Sequence, residues 1–328
     1  IQTIELILRK LQSADIINHK IEDGGNVLCV AIQNGSMEAF NYLRNIGVKD
    51  YYSTYIGCYN GYLNLLPDFV IHNALSGRQE GKTPAYIAVE SQHPVLARRF
   101  INTLAAYSLV AKSSDRLTLI QCAAEKNDAL SLTALIEKGV SEIDSEPYNT
   151  EYSSIHFAAQ HGNEKTLNLL LSSNSKRFLN SYRKGRTPLV VAVINDRVGV
   201  IEILLQAINE DKKKLSKSKQ IDIDRHFSDF TEEKDMKYNG LTLLHIAVLN
   251  KNYRALRLLL SSGNFDINKQ AIQANSGLTP LDLAILGNSY QIVDLLLKNG
   301  AQLNQYISNN DQYNGLNSIH LACKLNKN

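Results

Sequence analysis

Apolar residues recur along this chain in short bursts at helical spacing. Thr166-Leu167-Asn168-Leu169-Leu170-Leu171, Val200-Ile201-Glu202-Ile203-Leu204-Leu205 and Ile292-Val293-Asp294-Leu295-Leu296-Leu297 each place apolar side chains on one helical face. Upstream of each lies a shorter apolar stretch opened by a Thr-like residue. Gly81-Lys82-Thr83-Pro84-Ala85-Tyr86-Ile87-Ala88-Val89 is one form, and the segments 185–193, 240–248 and 277–285 match it. Weaker copies begin at Asn26, Leu117, Ser153 and Gly315. Thr at the anchor can cap a helix, and Pro in the first turn has no N–H to lose. Small pairs such as Ala123-Ala124 and Ala158-Ala159 let two helices approach closely. Gly139, Gly263 and Gly300 stand where a helix C-terminus favours a left-handed residue. The predicted unit is helix, turn, helix, extended loop.

The Thr-equivalent anchors fall at 26, 83, 118, 153, 187, 242, 279 and 317, with a poor copy at Tyr52. Most spacings lie in the mid-thirties, and the gap of 55 after Thr187 carries an insertion. These residues, the Thr-Pro-Leu-His-x-Ala form and the period resemble the ankyrin repeat family over essentially the whole chain. The expected fold class is all-α, a solenoid of about nine units that must stack to bury their apolar faces. We expect one array over 1–328, with a partial unit at 1–21, an insertion at 209–238 and a truncated unit at 315–328. The ends read as those of a fragment. The insertion, basic over 211–219 and mostly acidic from Asp222 to Asp235, reads as an elongated loop or helix end.

Composition adds little pull towards any ligand class. The 328 residues carry Lys+Arg 35 against Asp+Glu 32, so no global attraction to nucleic acid or anionic membrane is expected. Four cysteines without a CxxC give neither a disulfide framework nor a zinc site, and suggest free thiols in a reducing, cytoplasmic setting. Cys29, Cys58, Cys122 and Cys323 fall in first helices, where a small buried hydrophobe is expected. Gly77 to Thr83 looks like a P-loop but is one residue short, and Thr83-Pro84 already serves as an anchor. His156, His245 and His320 share one repeat position, suited to a hydrogen bond with the adjacent hairpin. No catalytic, cofactor-binding or metal-ligating residues are expected. The alternative is an enzyme whose site uses the insertion, where Asp222, Asp224, His226 and Asp229 cluster, or a domain outside this sequence.

The resemblance implies a concave surface lined by first-helix ends and hairpin tips, gripping another protein. Those positions are polar and unlike one another, whereas the scaffold is monotonous. The expected partner-binding residues are Tyr59, Glu90, Ser91, Glu125, Lys126, Gln160, His161, Arg183, Lys184, Asn195, Tyr238 and Tyr313. Sixteen tyrosines and no tryptophan suggest tyrosine anchors at hairpins. The expected protein is a monomer that scaffolds a partner protein. Its Asn-, Lys- and Ile-rich, irregular units resemble ankyrin-containing effectors of intracellular bacteria such as Legionella, which would put it in a host cytosol. A eukaryotic cytosolic adaptor is the alternative.

Overall fold

The computed structural model describes residues 2–3, 26–48, 82–104, 109, 117–140, 152–173, 179, 181, 183, 185–214, 223–225, 227 and 237–325. Among them lie fifteen α-helices and a 3-10 turn at Gln273–Asn275. Between two described residues, extended pairing is confined to isolated bridges, Arg183 with Arg186 and Phe227 with Leu241. The chain divides into two compact units, Ile1–Pro147 and Tyr148–Asn328.

In the first unit α1 (Val27–Gln33) pairs with α2 (Met37–Asn45), α3 (Pro84–Glu90) with α4 (Pro94–Thr103), and α5 (Leu119–Glu125) with α6 (Ala129–Glu137). In the second, α7 (Ser154–His161) pairs with α8 (Glu164–Ser172), α9 (Pro188–Ile194) with α10 (Val198–Lys214), and α11 (Leu243–Leu249) with α12 (Tyr253–Ser261). α13 (Pro280–Leu286) then pairs with α14 (Tyr290–Lys298), and α15 (Ser318–Lys324) follows. The partial unit at 1–21 and the copy at Tyr52 lie outside the described helices.

Every anchor read from the sequence, apart from the copy at Tyr52, is the N-cap of a first helix: Asn26, Thr83, Thr118, Ser153, Thr187, Thr242, Thr279 and Asn317. Thr83 Oγ1 accepts from the Tyr86 N–H at 3.2 Å, and Thr279 Oγ1 from the Asp282 N–H at the same distance. A helix of seven residues is too short to persist alone. α3, α9, α11 and α13 hold because they are apolar nearly all round and covered nearly all round. Each buried Leu or Ile contributes about 1.5–3 kcal/mol. Second helices bury one face only: α12 covers Ala255, Leu256 and Leu259 and leaves Arg254 and Arg257 exposed.

Neighbouring repeats are tied through the fourth residue of the anchor motif. His156 Nε2 meets the Arg186 carbonyl at 3.2 Å, and His245 Nε2 meets the Leu278 carbonyl at 3.0 Å. The other ring nitrogen faces a hydroxyl, Ser153 at 2.8 Å and Thr242 at 2.7 Å. Asp282 takes the same position in α13. It accepts from the Thr279 N–H and hydroxyl and, across the joint, from the Ser318 hydroxyl at 2.6 Å.

Hairpins touch backbone to backbone. Ile272 N–H donates to the Gly240 carbonyl at 2.9 Å. A Cβ on Gly240 (φ 80°) would lie 2.1 Å from the Ile272 carbonyl oxygen, so only glycine fits. Of the insertion's described residues, Asn209 to Lys214 continue α10, and Phe227 pairs with Leu241. Ile223, Phe227 and Tyr238 are buried, so its re-entry is part of the core.

Candidate protein-docking face

Hairpin side chains fold along the first helix that follows them. The Tyr238 hydroxyl donates to Asn250 Oδ1, the cap of α11, at 2.7 Å. Lys82 bonds both oxygens of Glu90, the last residue of α3, at 2.8 and 3.0 Å. Lys324, ending α15, lies 5.3 Å from the centre of the Tyr313 ring and donates to the Gln312 carbonyl at 3.3 Å. Hairpin stem and first-helix end therefore share one face of each repeat. The outer sides of the second helices, with Glu202 on α10 and Arg254 and Arg257 on α12, are exposed separately.

In the first unit Glu90, Ser91, Glu125 and Lys126 all sit at first-helix ends and are half-buried. Glu90 is engaged by Lys82, and Glu125 lies 3.7 Å from Lys126. In the second unit His161 is exposed in the last turn of α7, beside half-buried Gln160, whose carbonyl accepts from Arg197 Nε at 3.0 Å. Asn195 caps α9, exposed, with its amide on the Val191 carbonyl at 2.8 Å. Arg183 is half-buried on the bridge to Arg186, and Tyr313 is half-buried on the last hairpin. Tyr59 and Lys184 lie outside the described residues.

Tyrosine does less on this face than the sequence suggests. Tyr238 is only 2% exposed, with its hydroxyl spent on Asn250. Lys237 covers its ring, 4.8 Å from the centre, as Lys82 covers Tyr86 at 5.7 Å. A ring's negative face draws the ammonium. Lys237 and Lys82 stand close to their tyrosines in the chain, whereas Lys324 reaches Tyr313 only once the hairpin lies along the helix. The hint in the sequence is that each hairpin tyrosine stands four residues before an anchor, Tyr238 before Thr242 and Tyr313 before Asn317.

Other candidate chemistry resolves into structure. Burial pushes the His156 pKa down to about 3, so the ring is neutral, with one nitrogen donating and the other accepting. Burial pushes the Cys122 thiol up to about 12, against a hydrogen bond from Tyr86. Cys29 is buried as expected, and Cys58 lies outside the described residues. Cys323 and His320 depart from expectation, being exposed. α15 is the last described helix, and the side that Ile285 and His245 turn into a following repeat is uncovered there. Lys82 and Thr83 of the P-loop-like stretch are spent on Glu90 and on capping. In the insertion, Asp224 accepts from the Asp266 N–H at 3.1 Å and pairs with Lys269 at 3.4 Å, tying two loops together. Asp222, His226 and Asp229 lie outside the described residues. No group of three potential metal ligands occurs among the described residues, and no helix there is long and apolar enough to cross a membrane.

A family model described as ankyrin repeats (3 copies) matches residues 119–214 and 213–307. Inversin of Gallus gallus is 32% identical over 109 residues, which is 33% of this chain and 8% of that protein's length. The crystal structure of the ankyrin repeat domain of Bcl-3, a member of the IκB protein family, is similar with TM-score 0.51 and 21% identity. That likeness covers 84% of this chain and all of the other. The human ASB11 ankyrin repeat domain is similar with TM-score 0.52 and 20% identity, over 85% of this chain and 99% of the other. At such identities the likeness concerns the fold.

Proposed function

This chain belongs to the ankyrin repeat family, and we propose from that premise that it is a protein-interaction module. It holds a partner protein against first-helix ends and hairpins. The supporting observation is the division of labour within one repeat. In α11, six consecutive residues from Leu243 to Val248 are buried, and the next two, Leu249 and Asn250, open onto the shared face. The buried set recurs from repeat to repeat, while the facing pair changes: Gln160-His161, Ile194-Asn195, Leu249-Asn250, Leu286-Gly287. A stiff frame with variable facing residues loses little ordering entropy on binding. The buried thiol of Cys122, outside any disulfide, favours a cytoplasmic setting.

The test is capture from lysate, read quantitatively against a face variant. Gln160→Ala, His161→Ala and Leu249→Ala together should leave the thermal midpoint within a few degrees and remove the proteins that wild type retains. Equal retention by the triple variant would refute the assignment of the face.

A further inference from the structure

We infer that the docking face of the second unit receives an acidic, extended segment of its partner; this rests on the binding-module reading above. Three observations carry it. The tyrosines on this face are roofed by cations, Lys237 over Tyr238 and Lys324 over Tyr313, so a visitor meets ammonium groups in place of aromatic faces. Both lysines are exposed, and among the described residues neither has a carboxylate within 4.0 Å. Asp311, on the same hairpin as Tyr313, makes no ion pair with Lys324. The first unit differs: there Lys82 and Lys126 each have a glutamate of the same face.

Among the described residues the floor between the two lysines holds no carboxylate either. It consists of Leu249-Asn250 and Leu286-Gly287 at the helix ends and Asn275-Ser276 at the intervening hairpin. Lys237 and Lys324 are separated by two steps of first-helix packing, α11 to α13 to α15, or roughly 20 Å at ordinary interaxial distances. An extended chain covers that in about six residues. The matching ligand has acidic residues about six apart, with an apolar residue between them to sit on Leu249 and Leu286 and a backbone to bond the Asn and Ser side chains. Two point charges with amides and leucines between them fit a peptide better than a nucleic-acid backbone, which calls for a continuous basic track.

The experiment pans a displayed random peptide library against the full chain, then measures selected peptides by fluorescence anisotropy. Selected sequences should be rich in Asp and Glu at that spacing. Their binding should weaken with added salt and fall about tenfold or more in the K237Q/K324Q double variant, whereas K237R/K324R should retain it. Circular dichroism on both variants confirms the fold. Peptides without acidic enrichment, binding unchanged by K237Q/K324Q, or a ten-nucleotide oligothymidine competing better than the peptides would overturn the inference. In those cases the binding module stands, provided the Gln160, His161 and Leu249 variant still loses captured partner. If that variant retains partner as well, the module reading fails independently.

Discussion

The His156 imidazole lies buried in α7 between the Ser153 hydroxyl and the Arg186 carbonyl. Its folded pKa of about 3 lies below the ordinary 6.5, so on acidification the unfolded chain takes up the proton first. The contribution to stability is therefore complete above about pH 6.5, declines from there towards pH 3, and levels off below. From pH 7 to pH 5 wild type should lose about 2 kcal/mol more than His156→Gln, measured by urea unfolding. Parallel pH profiles for the two would contradict this.

The turns between first and second helices make a second case at this scale. Gln92, Asn127, Asp196, Lys251 and Asn288 all adopt left-handed backbone there, where Gly35 and Gly162 serve in other repeats. Lys251→Gly should stabilise by about 0.5–1 kcal/mol, since the left-handed cost exceeds the entropy cost of glycine. A lower melting point would count against that accounting. Anchor residues were legible in the sequence because N-capping is local chemistry. These turn residues were not, because the conformation is imposed by the helix pair and their side chains do not announce it. Cys323 was misjudged for the complementary reason, since burial depends on what lies over the helix. Thiol labelling of the native chain should accordingly modify Cys323 and spare Cys29 and Cys122 until unfolding; protection of Cys323 would contradict its exposure.

At the scale of elements, periodicity carried the reading well. Second helices were visible as stripes and first helices as short apolar stretches behind a cap. The charged stretch from Asn209 reads as an elongated loop or helix end, and its described part, to Lys214, continues α10, with Asn209 bonded to Asn264 at 2.9 Å. The hairpin contacts were hidden, because backbone approach leaves only a glycine as its trace. Gly240 and Gly277 would each put a Cβ 2.1 Å from a neighbouring carbonyl oxygen, whereas Gly263 would meet open space. Gly240→Ala and Gly277→Ala should therefore cost about 3 kcal/mol or more, and Gly263→Ala about 1. Similar unfolding midpoints for all three would mean that the hairpins do not lace the second unit.

For the whole molecule, both units repeat one device: buried first helices that vary little, and a face of helix ends and hairpins that varies freely. Which residues fall at helix ends and hairpins is legible, since the period assigns each a place in its repeat. Which of them lie open is not: Tyr238 is buried with Lys237 over its ring, and Tyr313 meets Lys324 only once hairpin folds onto helix. The most direct test of the account places a photo-crosslinking amino acid at His161 or Leu249, on the proposed face, and at Arg257, on the outer side of α12, in separate full-length chains exposed to lysate. Discrete crosslinked proteins are expected from His161 and Leu249 and none from Arg257. Crosslinks from Arg257 alone, or the same products from all three sites, would contradict it.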